Sequence, residues 1–155
     1  MDTLDKKILE CLQKNARQSA SDIGKTIHLS VSTVIDRIRK LEASGIIQHY
    51  TAVLDEKKLG NDVTALMEVS LEHPRYCEAF TNAVLSNSSI TACYYLAADF
   101  DFLLKIVCRS SMQLEEIHRF IKVQPGVSST RTHYVLKDVK HTYSPIWEEL
   151  PDSHR

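Results

Sequence analysis

The stretch SVSTVIDRIRKLEASGII, Ser30–Ile47, decides how the first third of the chain folds. Val34, Ile38 and Leu41 recur at helical spacing, with Ile35 adjacent, and make one apolar stripe. Ser30 or Ser32 caps the start of this helix, because a hydroxyl there accepts a hydrogen bond from a first-turn amide that lacks a partner. Gly45 stands just past the last apolar position, where helices commonly finish on a left-handed residue. The face away from the stripe is polar and cationic: Ser32, Thr33, Asp36, Arg37, Arg39 and Lys40.

Upstream, Ile23 and Ile27 stand at i, i+4 on a short helix. Ser19 is fit to cap it, and Asp22 in its first turn faces the positive end of the helix dipole. His28-Leu29-Ser30 breaks the pattern. Before it, Leu4, Ile8, Leu9 and Leu12 form a helical stripe that ends near Asn15. The order is helix, short helix, tight turn, longer helix. The turn is too short for antiparallel packing, so the last two helices cross steeply, as in a helix-turn-helix. In that motif the N-terminus of the second helix meets base edges in the major groove of double-stranded DNA. Ser30, Ser32 and Thr33 stand there. Arg37 has the fork for a guanine edge, Lys40 suits a phosphate, and Asp36 orients one of them. The bland alternative is a solvated helix face. The capped turn and the preceding short helix favour DNA. One such unit makes few contacts, so a dimer with recognition helices about one DNA turn apart is expected.

Downstream the period changes. Ile46–Val53 suits a β-ribbon, and Asp55–Asn61 is a polar connector. Val63, Ala65, Met67, Val69 and Leu71 then alternate with polar residues, which marks a strand closed by His73-Pro74. Tyr76, Cys77, Phe80 and Val84 share a helix side. Ile90–Ala97 and Phe102–Cys108 read as two strands of a hairpin. Leu114, Ile117 and Ile121 mark a helix stopped by Pro125-Gly126, and a last strand runs from Val127 to about Lys137. The order β-α-β-β-α-β places both helices on one face of a four-stranded sheet. The strands read as apolar on both faces, so the uncovered face calls for self-association, the alternative being that the N-terminal helices cover it. The expected class is α+β: a winged-type helix-turn-helix over 1–50, a linker over 51–61, a ferredoxin-like domain over 62–143 and a tail over 144–155. Ser144–Pro151 reads either as a short docking helix or as frayed chain.

Composition narrows the function classes. The 155 residues hold 19 basic and 20 acidic side chains, which excludes a wholly basic histone-like binder. The first fifty residues carry eight basic and six acidic side chains, a modest local surplus. No apolar run approaches a membrane span, and the acids in MDTLDKKILE argue against a secretory signal, so the cytoplasm is expected. Cys11, Cys77, Cys93 and Cys108 are scattered and read as small buried apolar residues. The seven histidines show no metal-binding spacing, and no cofactor is expected.

With these pieces in order, the chain resembles the Lrp/AsnC family of transcription factors. The resemblance rests on Leu4-Asp5 with Ile8-Leu9, Leu29-Ser30 with Ser32, Arg37 to Ile47, Asp99-Phe100-Asp101-Phe102-Leu103-Leu104, and Pro125-Gly126-Val127 followed by Thr130-Arg131-Thr132. It implies a winged-type helix-turn-helix linked to a regulatory domain, and dimers that assemble into tetramers or octamers. It also implies an amino-acid effector bound at the interface between dimers, near the hairpin Ala97, Ala98, Asp99, Phe100 and Asp101. Asp99 or Asp101 would take the ammonium and hairpin amides the carboxylate. Two positions depart from the family pattern: Ala98 stands where Gly is common, and Val31 where Pro is frequent. Two other readings stay open. A sirohaem-decarboxylase-like enzyme on the same scaffold would draw on His118, Arg131 and His133; an architectural protein would wrap DNA without an effector. The regulator reading, which is not an enzyme, is the one adopted.

Overall fold

A computed structural model describes residues 1–146 of the chain. They form two compact units. One is Met1–Ala52 together with the stretch from His141; the other is Val53–Lys140.

The first unit holds α1 (Thr3–Lys14), α2 (Ala20–Ile27) and α3 (Val31–Ala43). Each helix starts on a side chain that serves its exposed amides. Asp2 and Asp5 cap α1 reciprocally, Ser19 accepts from the Asp22 amide, and Ser30 accepts from the Thr33 amide. Ile8, Ile23 and Val34, one from each helix, are fully buried and form the centre of this unit with Cys11, Ile27 and Leu41. The turn between α2 and α3 depends on two residues. His28 takes the left-handed conformation (φ 59°), and the amides of His28 and Leu29 both donate to the Gly24 carbonyl. A Cβ on Gly24 would lie 2.6 Å from the Leu29 carbonyl oxygen, so only glycine lets the turn close so tightly.

Past the end of α3, Gly45 turns the chain at φ 74°. Beyond it, the ribbon expected over Ile46–Val53 does not form. These residues have no strand partner among the described residues, and a lone ribbon leaves its ladder amides and carbonyls unpaired. The segment is instead fastened to α3 by Tyr50, whose Oη donates to Glu42 Oε1 at 2.9 Å. Burial and this bond to a carboxylate push the Tyr50 phenol up to about 12.

The second unit runs β1 (Val63–Leu71), a 3-10 turn (Pro74–Tyr76), α4 (Cys77–Leu85), β2 (Ile90–Tyr95), β3 (Phe102–Cys108), α5 (Ser111–Lys122) and β4 (Val127–Tyr134). The sheet is antiparallel throughout, in the order β2-β3-β1-β4. Met67 lies opposite Leu104 on one side and Thr132 on the other, which fixes which side chains share a face. Ala65, Met67, Val69, Phe102, Leu104 and Ile106 face the helices and bury Phe80, Val84, Ile117 and Ile121. The Phe80 and Phe102 rings meet at 4.8 Å. Burying one such side chain is worth about 1.5–3 kcal/mol, so this layer dominates the unit's stability.

Three expectations need correction. β2 ends at Tyr95 rather than Ala97, because the hairpin turns once Tyr95 has paired with Phe102. β4 ends at Tyr134 rather than Lys137, because β1 starts at Val63; only one more bond follows, from the Val135 amide to the Thr64 carbonyl. The face away from the helices is mixed rather than apolar. Leu66, Leu103 and Tyr94 share it with Glu68, Lys105, Arg131 and His133. β2 and β3 supply most of its apolar surface, and β1 and β4 most of its charge.

Candidate functional site

On α3 the inward positions are Val34, Arg37, Ile38 and Leu41, spaced i, i+3, i+4 and i+7. Arg37 is thus on the packing stripe. Its Nη1 donates to Asp2 Oδ2 and to Asp5 Oδ1, both at 2.7 Å, and its side chain is 26% exposed. The Asp5 amide first, and the guanidinium second, hold the Asp2 carboxyl below its usual range; Asp5 and then Asp2 push Arg37 up. This corrects the expectation that Arg37 turns outward to fork onto a guanine. Its place was readable from the spacing, three residues past Val34, but its cationic head disguised it.

The outward face carries Ser32, Asp36, Arg39 and Lys40, all exposed, with Thr33 half-buried at the helix start. Ser30, Ser32 and Thr33 put three hydroxyls together: the Ser30 Oγ lies 3.0 Å from Ser32 Oγ and 2.7 Å from Thr33 Oγ1. Asp36 stands 3.9 Å from Arg39, so its neighbour is neither Arg37 nor Lys40 as expected. Arg39 is 75% exposed. Val31 and Ile35, at i and i+4, add exposed apolar surface at 46% and 36%.

In the second unit the hairpin after β2 borders a pocket of about 360 Å³. Ala98, Asp99 and Phe100 form its lip, Glu68 and Ser70 of β1 its floor, and Ser129, Thr130 and Arg131 of β4 its far wall. Ala97 and Asp101 do not line it. Asp101 instead binds backbone: its Oδ2 accepts from the Leu71 amide at 2.6 Å, and its own amide donates to the Val69 carbonyl. Ala98 needs no left-handed backbone, since His28 is the one non-glycine residue with positive φ among those described. The hairpin therefore closes without the glycine common in the family. Glu68 sits 3.6 Å from Arg131 Nη1 and 2.9 Å from His133 Nε2. Opposite charges and hydroxyls around one cavity can receive a small zwitterion. Glu68, Ser70, Ser129, Thr130 and Arg131 are not among the expected effector contacts, because they join the hairpin only through a β1–β4 register that no local pattern states.

The three residues proposed for a tetrapyrrole do not converge. His118 Nε2 lies 3.1 Å from Thr130 Oγ1 on the helix-covered side of the sheet, whereas Arg131 and His133 share the opposite face. Cys11 and Cys108 are buried as expected, but Cys93 is exposed and Cys77 only half-buried. Among the described residues, no group of three or more potential ligands surrounds a metal position. No described helix is long and apolar enough to cross a membrane.

A cationic helix on a helix-turn-helix, carried on one chain with a pocketed sheet domain, defines a DNA-binding regulator that responds to a small molecule. Comparison with known proteins agrees. Residues 1–48 match the winged helix-turn-helix DNA-binding family model, and residues 64–145 match the Lrp/AsnC ligand binding domain. The HTH-type transcriptional regulator FL11 of Pyrococcus horikoshii is 34% identical over 142 residues, covering 92% of this chain and 93% of its own. The leucine-responsive regulatory protein of Escherichia coli K12 is 34% identical over 145 residues, covering 92% and 88%. Among solved structures, a Neisseria meningitidis transcriptional regulator in complex with L-Met superposes with a TM-score of 0.89 at 27% identity, covering 94% of this chain and 96% of that one. Escherichia coli AsnC gives a TM-score of 0.86 at 27% identity, covering 93% and 97%. The chain belongs to the Lrp/AsnC family of transcription regulators.

Proposed function

We propose that α3 enters the major groove with Ser30, Ser32, Thr33, Asp36, Arg39 and Lys40 toward DNA, and that an amino acid bound at the Ala98–Phe100 lip modulates this binding. The observation that carries the effector reading is the charge pattern of the pocket. Arg131 offers a cation for a carboxylate, Asp99 and Glu68 offer anions for an ammonium, and Ala98 with Phe100 offers an apolar wall. The L-Met complex of the Neisseria regulator supports the same ligand class. Arg39 and Lys40 supply phosphate or guanine contacts, the hydroxyls at the helix start suit phosphate or base edges, and Val31 with Ile35 suits thymine methyl groups.

The protein acts as a homo-oligomer in the cytoplasm. Half-exposed Tyr94 on β2, Leu103 opposite it on β3 and Leu66 on β1 of the same face give a second copy something to cover. Pairing also supplies the two recognition helices that one DNA site needs.

Calorimetric titration with each of the twenty amino acids tests the effector. One or a few are expected to bind to the wild-type protein and not to the Arg131→Gln variant. Heat from none of the twenty would favour a DNA-architectural protein without an effector.

A further inference from the structure

α1 and α3 meet in a closed charge cluster. Asp2 Oδ1 accepts from the Asp5 amide at 2.9 Å, and Asp5 Oδ2 accepts from the Asp2 amide at 3.0 Å. The two oxygens left over, Asp2 Oδ2 and Asp5 Oδ1, both accept from Arg37 Nη1 at 2.7 Å. The four carboxylate oxygens thus meet three donor nitrogens, the Asp2 and Asp5 amides once each and Arg37 Nη1 twice. The residues that start α1 are the same ones that hold α3.

We infer that Arg37 is a positioning residue of the recognition helix and not a contact to DNA. This rests on the reading of α3 as the groove-entering helix. Both hydrogens of Nη1 are engaged in charge-assisted bonds, which are about twice as strong as neutral ones. Turning the guanidinium to DNA would break both bonds and leave two carboxylates without this counter-cation. Held as it is, Arg37 sets the rotation of α3 about its own axis. Successive helix positions are spaced about 100° apart, so a small roll moves Ser32, Arg39 and Lys40 off their targets together.

The two roles predict opposite signs for one substitution. Asp5→Asn removes a negative charge from the DNA-binding unit and weakens one of the two bonds that hold Arg37. If Arg37 touched DNA, affinity would rise. If Arg37 positions α3, affinity falls. The experiment uses the full chain, a DNA fragment selected by the wild-type protein, and binding measured against salt at a temperature far below each variant's melt. Positioning predicts that Asp5→Asn and Arg37→Gln each weaken binding about tenfold, with the slope of log K against log salt unchanged. Arg39→Gln should lower that slope by about one, as loss of a phosphate contact does. Asp2→Asn, at the more exposed partner, is the gentler second variant and should move the same way. The inference is overturned if Arg37→Gln itself lowers the slope by about one, or if Asp5→Asn binds as tightly as wild type or tighter. Wild-type affinity in folded Arg37→Gln also overturns it, because the cluster would then serve stability alone. Unchanged affinity and slope in both Arg39→Gln and Lys40→Gln would instead sink the groove reading of α3, and the inference with it.

Discussion

Gly24 and Arg37 are single residues on which the first unit depends, and they differ in how readable they are. Gly24 is needed because the Leu29 carbonyl comes within 2.6 Å of where a Cβ would stand. Gly24→Ala must therefore move backbone, and a destabilisation of about 1–3 kcal/mol is expected, measured as a lower denaturation midpoint of the full chain. The caps were legible in the sequence because a cap acts within three residues of itself: Ser19 and Ser30 lie where local chemistry puts them. The role of Arg37 was not legible, because its partners lie 32 and 35 residues away. Its cluster has a pH signature. The folded Asp2 carboxyl titrates below its ordinary 3.8, so its contribution is complete above that value and is lost as pH falls through the lower, folded one. Acid melting curves should therefore show a steeper loss of stability below pH 3.8 for the wild-type chain than for Arg37→Gln.

The helices and strands were largely legible, because burial imposes a period and each period is written in the order of apolar residues. Val63 to Val69 alternate, and the observed strand buries every second residue. What periodicity cannot supply is a partner. Ile46–Val53 has the composition of a strand and stays unpaired, and β2 and β4 stop where their neighbours do. Partnering also decided the character of the open sheet face, whose charges come from β1 and β4. The proposed entry of α3 into the groove permits a test that isolates the thymine methyl groups. Val31 and Ile35 are exposed beside its polar residues. Replacing thymine by uracil throughout a selected DNA fragment removes only the thymine methyls. If either side chain covers such a methyl, wild-type binding should weaken roughly fourfold, about 0.8 kcal/mol per buried group. The Val31→Ser, Ile35→Ser double variant should then bind both fragments alike in a gel shift.

For the molecule as a whole, the DNA-binding and ligand-binding family models fall on two different units of one chain, and each unit has its own core. A substitution on the open sheet face is therefore expected to change assembly without unfolding either unit. Leu103→Lys should shift sedimentation toward the single subunit while far-ultraviolet dichroism stays unchanged. The hairpin residues of the candidate pocket were partly legible: Ala98, Asp99 and Phe100 line it, while Ala97 and Asp101 do not. Asp101, with Asp99 one of two acids expected to meet an ammonium, instead ties the end of the hairpin to β1 through its carboxylate. That tie has a consequence for selectivity. The strand it grips also provides the cavity's base, so the mouth cannot gape without tearing a bond from the Leu71 amide. A guest bound there, as proposed, would meet a rim already set and lose little freedom in settling. The same stiffness leaves no slack for a bulkier guest, so candidates that differ by one branch should be sorted by shape. Asp101→Ala should blur that sorting before it weakens the hold on the preferred guest.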